Sequence, residues 1–459
     1  MSMNPPAPTN VVVAMTSTAN DKLVQFFLTI ASISLTDKRG NTVTLYTNPN
    51  PQDFRTGNVE FMHLNGVSEP VITGTVPHGD YTQALVAVAS CSFTNVTINP
   101  TGGVVEATYA EGLCGQGTGQ TTVNLPAPIT VSGTTMALSL NLQVAQSFTL
   151  NPNAFPQPTY TISPVFTLTP ITLSPQPTNE LNGKFSGINA RITSIDAAAN
   201  SFEAQTADGF PLTVNSGTNT LFQEVAAFST LAVGTLVNMD VAIQPDSSLL
   251  GTRVEVDDLA APMVSIGPLL APTSGPTEFV NVPTLSEGCT IGATPFCGSI
   301  FSYDSNTVFG VSGQFSNVQS LPFPATFNGP GFLLGQNVSF FSSGQLMGQG
   351  FELATTATLS PQIVNGTVNA VSSNSNFTVY RVTLAPDSLI PTLQGIAGTT
   401  VNRLNNPTTS MEVYVDSSTQ LLNTSPIATG SLLRFRGLVF DDNGTLRMDC
   451  GQVNDGVSE

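Results

Sequence analysis

A chain of 459 residues is too long for one hydrophobic core and points to three or four domains. Only 9% of the residues are charged against 40% hydrophobic, so the polar surface must be built from Thr, Ser, Asn and Gln rather than from ion pairs. With 12 basic and 30 acidic residues the formal charge is −18, which repels phosphate backbones and anionic lipid and argues against a nucleic-acid partner.

Abundant Thr and Val, 39 Gly and 33 Pro favour strands and turns over helices, so the chain reads as all-β. Its first residues, MSMNPPAPTN, contain neither a basic n-region nor an apolar h-region, and residues 1–9 are expected to be a flexible segment. They fit a mature extracellular or cell-surface protein from which a leader has been removed and to which a starting Met has been added. Strands are predicted near 10–17, 23–36, 41–47, 58–64, 70–76, 81–96, 103–110, 120–132, 134–150 and 159–173. Their spacing predicts a Greek-key β-sandwich over 10–178, Ig-like or transthyretin-like. The most apolar run, LVQFFLTIASISL (23–35), is too short for a transmembrane segment and reads as one long buried strand.

Within the sandwich, VPHGDYTQALVAVAS combines a bend with a strand. Pro77 fixes φ, Gly79 is expected to supply a positive φ, and Tyr81 opens a strand while capping the sandwich like a tyrosine corner. Strict alternation puts Tyr81, Gln83, Leu85 and Ala87 on one face, with Thr82, Ala84, Val86 and Val88 on the other. His78 is then filler inside a turn.

The rest of the chain carries a repeat. In 182–258 and again in 361–456, a strand pair leads to a Thr-containing turn (Thr220, Thr419). A strand start of the form Gly-x-Leu follows (Gly234, Gly430), then a polar hairpin tip and a small-x-x-Val close (Gly251 to Val254, Cys450 to Val453). The divergent segment 259–358 repeats the second half, with Gly335 as strand start and Gly348 to Phe351 as close. About three small β-barrel-like domains are therefore expected after the sandwich. Cys450 fills the slot of Gly251 and Gly348, which predicts a small buried thiol rather than a nucleophile.

The motifs NVVVAMTSTANDKLVQFFLTIASISLTDKRGNTVTL, VEFMHLNG and VPHGDYTQALVAV resemble a domain-of-unknown-function family of bacterial lipoproteins over about 8–178. The later repeats resemble a second uncharacterised bacterial family of small β-domains. The first family usually has a small residue where His78 stands, and its lipobox cysteine is missing here. Neither resemblance implies a catalytic motif or a cofactor.

No hydrolase elbow, zinc-protease motif, Cys-x-x-Cys or phosphate loop is present. His63, His78 and Asp80 are the weak metal candidates, as two imidazoles and a carboxylate. Cys289 with Cys297, and Cys91 with Cys114, read either as disulfides or as buried thiols. With no Trp and only seven Tyr, the 27 Phe are expected to fill cores rather than form sugar platforms. The expected function is a non-enzymatic secreted or cell-surface structural, adhesive or assembly module, self-associating through strand edges or binding other cell-envelope components. The alternatives are a polysaccharide- or small-ligand-binding protein and a carboxylate-dependent hydrolase.

Overall fold

A computed structural model describes residues 7–18, 23–51, 56–101, 104–113, 119–151, 159–258, 263–268, 278–281, 285–287, 299–315, 318–329, 332–333, 335–347, 351–374, 376–385, 388, 390, 409–422 and 425–456. The described chain is all-β in class, with strands far outweighing helix, as composition predicts. It falls into two compact units, Met1–Ala19 with Phe26–Phe93 and Gly112–Leu259, and Asn20–Gln25 with Thr94–Glu111 and Ala260–Glu459.

The strands ahead of the first barrel are β1 (Thr9–Thr18), β2 (Leu23–Asp37), β3 (Thr42–Thr47), β4 (Asn58–Glu60), β5 (Glu69–Val76), β6 (Gly79–Thr101), β7 (Val104–Leu113), β8 (Gly119–Val123), β9 (Ile129–Val131), β10 (Thr135–Gln143), β11 (Phe148–Asn151), β12 (Thr159–Ile162) and β13 (Phe166–Ile171). The first residues of β2, the end of β6 and most of β7 belong to the second unit, β11 pairs with β12 in a sheet of two, and the remaining strands form the sandwich. One sheet has the order β13-β10-β1-β5, with β1 parallel to β10. The other runs β3-β2-β6-β7, with β4 beside β2 and both β8 and β9 beside β6. The apolar run of β1 follows from its place: it is paired on both sides and buried on both faces. LVQFFLTIASISL is indeed one long strand, β2.

Four predicted strands differ from the structure; the one expected over 159–173 is two, β12 and β13, which pair with β11 and β10 respectively. The strand expected over 58–64 stops at Glu60, and residues 61–64 form a turn. The strand expected over 120–132 is two strands, β8 and β9, parted by the segment holding Pro126 and Pro128, whose rings remove ladder donors. The strand expected over 134–150 is interrupted by a helical turn, Val144–Ser147, where the Ser147 hydroxyl donates to the Gln143 carbonyl at 2.7 Å.

After the sandwich, β14 (Lys184–Asp196), β15 (Ser201–Thr206), β16 (Pro211–Gln223), β17 (Leu236–Ile243) and β18 (Leu249–Asp258) close into a barrel of order β14-β15-β16-β18-β17. Only β16 and β18 run parallel. Five strands in this order, with the third and fifth parallel, make an OB-type Greek-key barrel. Its core includes Val12, Ala14 and Ala137 of the sandwich beside Phe185, Phe202 and Val254 of the barrel. The sandwich and first barrel, expected as separate domains, thus share one interior, and the two alanines let the barrel approach the sheet closely.

In the second unit β19 (Met263–Pro268), β20 (Glu278–Asn281), β21 (Leu285–Glu287), β22 (Ser299–Ser302), β23 (Val308–Val311), β24 (Asn337–Met347) and β25 (Phe351–Leu359) form one sheet. β26 (Gln362–Ser373), β27 (Thr378–Leu384), β28 (Ser410–Val415), β29 (Gln420–Leu421), β30 (Leu432–Asp442) and β31 (Thr445–Asp455) form another. The second closes as β26-β27-β28-β31-β30, and β28 and β31 are parallel, so the order of the first barrel recurs. Phenylalanines fill the interior here: Phe301 and Phe340 stack at 4.8 Å within a cluster that also holds Phe440 and Tyr414.

The repeat seen in sequence has a shared physical basis. Gly234, Gly335 and Gly430 all take positive φ, at 90°, 87° and 91°. The Gly234 and Gly430 amides each donate at 2.8 Å to a first-strand carbonyl, Ile192 and Val368, where that strand is bulged. A second device recurs three times. The hydroxyls of Thr220, Thr307 and Thr419 accept from the Gly217, Asp304 and Asp416 amides, at 2.8, 3.1 and 3.1 Å. They donate across to the carbonyls of Gly251, Ala354 and Cys450, at 2.6, 2.8 and 2.7 Å. Thr307 lies in NTVFGVSGQF, within the middle copy of the repeat, although the sequence alone does not single it out. Replacing any of the three by Val, which keeps the shape and deletes both bonds, is expected to cost about 1–2 kcal/mol. Urea unfolding should place Thr307→Val, the most buried, at the top of that range.

Candidate functional site

The turn that replaces the end of the predicted 58–64 strand is pinned to β1. Ser17 donates its amide to the Leu64 carbonyl at 3.0 Å and accepts from the Gly66 amide at 3.1 Å. Its hydroxyl also bonds the Phe61 carbonyl. Glu60, fully buried, organises the turn from inside. Its Oε1 accepts from the amides of Phe26 and Met62 at 2.8 and 3.1 Å, and its Oε2 accepts from the amide of His63 at 2.8 Å. Three backbone donors thus converge on this one buried carboxylate.

The barrel contributes the opposite wall. Between β15 and β16 the chain turns through Ala207, Asp208 and Gly209. Gly209 takes φ +82°, and its amide donates to the Thr206 carbonyl at 2.9 Å. That turn puts Asp208 at its apex, where Oδ1 accepts from the Glu60 amide at 3.0 Å. The Phe210 ring lies 5.7 Å from that of Tyr46 on the sandwich.

His63 sits between these walls with its side chain about 10% exposed. Its Nδ1 lies 3.5 Å from Glu60 Oε2, and its Nε2 lies 3.5 Å from Glu69 Oε1 and 3.7 Å from Asp208 Oδ2. These separations exceed hydrogen-bond length, and both ring nitrogens and Asp208 Oδ2 have no hydrogen-bond partner. Among the described residues no Lys or Arg pairs with Glu60, Glu69 or Asp208. Burial opposes a charge on His63, but Asp208, Glu60 and Glu69 outweigh it and hold the imidazole pKa well above its ordinary value. Burial pushes Asp208 up to about 7, with Glu69 and Glu60 adding to the rise and His63 opposing it.

The three metal candidates read from sequence do not converge. His63 is in this cluster, whereas His78 is exposed with Nε2 3.1 Å from the Gly133 carbonyl. Asp80, also exposed, accepts from the Thr130 hydroxyl at 2.9 Å and lies 3.9 Å from Lys38 Nζ. Glu60, Glu69 and Asp208 escaped sequence reasoning because spacing relates neighbours, and Asp208 lies 148 residues from the amide that holds it.

The bend at 76–81 differs too. Tyr81 is buried and its hydroxyl donates to the Pro77 carbonyl at 3.0 Å, the tyrosine-corner bond expected of it. Gly79, however, does not have positive φ, and an added Cβ would meet only the Tyr81 ring at 4.0 Å. The positive φ belongs to Gly133, at 78°, in the turn that accepts from His78. Strict alternation also fails, since Tyr81 and Ala84 are both buried. β6 changes partner between them, from β9 to β8, and the change shifts the parity.

Cys91 is disulfide-bonded, while Cys114, Cys289 and Cys297 lie outside the described residues. Cys450 is a free buried thiol that donates to the Gln452 carbonyl at 3.2 Å, and burial pushes its pKa far up. It is the inert small residue that its place in the repeat predicts. The chain matches no protein-family model and no curated protein.

Two expectations follow from the geometry. His63→Leu removes the cation from among three buried carboxylates and should cost about 3–5 kcal/mol, whereas Asp208→Asn keeps the Glu60 bond, lowers the negative charge and should cost less than about 1 kcal/mol. Urea titrations of the two variants in chelator would show this inequality. At the bend, Tyr81→Phe should cost about 1 kcal/mol, and His78→Ala and Gly79→Ala should each stay within about 0.5 kcal/mol by thermal unfolding.

Proposed function

We propose that this chain is a non-enzymatic, multi-domain β-protein of the cell surface or extracellular space, working as a structural, adhesive or assembly module. The observation that carries this reading is the interior shared between sandwich and first barrel, where Val12, Ala14 and Ala137 sit among the barrel's own core residues. A domain pair built this way behaves as one stiff element. The recurrence of the same barrel order in the second unit supplies a further element of the same kind. Low charge and a Thr/Ser/Asn surface suit a partner recognised by shape and backbone pairing, and the sheets end in strands able to add another. That partner is a second copy of the chain or another envelope component.

A hydrolase reading needs an accessible carboxylate pair, and the acid with the raised pKa beside His63 is sealed inside the fold. A sugar-binding reading gains nothing from the exposed large hydrophobics among the described residues, which are all Leu or Val. Sedimentation velocity over a wide concentration range, together with co-sedimentation on envelope fractions, is expected to show assembly or envelope binding. A chain that stays monomeric, ignores envelope material and hydrolyses a glycan or ester would reject the proposal.

A further inference from the structure

We propose that His63, Glu69 and Asp208 form a buried structural site for a divalent first-row transition cation, zinc foremost, which fastens the sandwich to the first barrel. One ligand atom from each of the three lies within 4.8 Å of the others, and His63 Nε2 stands 3.5 Å from Glu69 Oε1 and 3.7 Å from Asp208 Oδ2. Two of these atoms, Nε2 and Oδ2, are buried without a hydrogen-bond partner, in side chains at least nine-tenths buried, and they point at the same spot. Polar atoms are rarely left in that condition unless something else satisfies them.

The distances favour an ion over a direct contact. Hydrogen bonds here would be about 2.8 Å long. Around a metal with bonds of about 2.1 Å, neighbouring ligands stand roughly 3.0 Å apart in an octahedron and roughly 3.4 Å apart in a tetrahedron. The two edges from His63, at 3.5 and 3.7 Å, need only a slight contraction to become the second, and an ion would draw the two carboxylates together from a separation of up to 4.8 Å.

Charge points the same way. Glu60 is already satisfied by three backbone amides, so the uncompensated groups are the carboxylates of Glu69 and Asp208, whose summed charge a dication cancels. Glu60 also stands 3.5 Å from His63 Nδ1, where a carboxylate orients a metal-bound imidazole by accepting its far proton. An imidazole among the ligands disfavours calcium and magnesium, which take oxygen, and the lack of a thiolate disfavours soft ions. Three protein ligands leave the fourth position to a solvent oxygen. Since the side chains of His63, Glu69 and Asp208 are 10%, 5% and 3% exposed, such an ion acts as a rivet, closed to substrates.

The test uses the full chain, stripped with EDTA and dialysed. Calorimetric titration with zinc should show one equivalent bound, and a hundredfold excess over Kd should raise the thermal midpoint of the first unit by roughly 5 °C or more. Glu69→Gln and Asp208→Asn, checked by circular dichroism for an intact fold, should each weaken binding at least about tenfold. Cobalt in place of zinc should give weak visible bands without thiolate charge transfer, a readout that needs no variant. Absence of one-equivalent binding, binding undiminished in both variants, or a thiolate band assigning the ion to cysteine would each overturn the proposal.

Discussion

The first unit depends on one buried carboxylate. Glu60 has no contact with water, and an anion so placed is tolerable only if fixed dipoles surround it. β2 supplies one of them through the Phe26 amide, and the turn from Phe61 to Gly66 supplies two by curling the Met62 and His63 amides inward, a curl that ends β4 early. The curl carries His63 into the interior, brings it against Glu69 at the head of β5, and leaves the Glu60 amide free to hold Asp208 from the barrel. One side chain thereby determines a strand end, a histidine's environment and a domain contact. An apolar residue at position 60 would satisfy none of these amides.

The barrels show a different economy. Their strand order is kept by short local devices that recur while the rest of the sequence drifts: a positive-φ glycine whose amide ties the bulged first strand, and a threonine that closes a turn while bonding across to the fifth strand. Such devices tolerate insertions at hairpin tips, because nothing at the tips takes part in them. The close is equally undemanding. It needs a small side chain, and glycine in one repeat and cysteine in another both fit.

How much of this was legible in the sequence depended on the range of each interaction. The repeat glycines and two of the threonines could be found because the chain carries its own comparison, one copy against another. Tyr81 could be found because its bond to Pro77 spans four residues. Gly79 misled because the local string has turn chemistry, while the backbone that needs it is at Gly133, brought alongside by pairing of β6 with β9. His63 was singled out for its rarity and given the wrong companions, since the ordering of Glu60, Glu69 and Asp208 around it is a product of the whole unit.

The interior shared by Val12, Ala14 and Ala137 with the barrel bears on how the chain reaches its native state. β1 is covered on one of its faces by a domain whose last core residue, Val256, arrives more than two hundred positions later. During synthesis that face stays bare until the whole first unit has emerged, a delay of roughly ten seconds or more at ordinary elongation rates. The apolar strand that anchors the finished fold is thus its greatest hazard on the way there. Cleaving the chain between the sandwich and the first barrel would leave each half with an open flank rather than two independent domains.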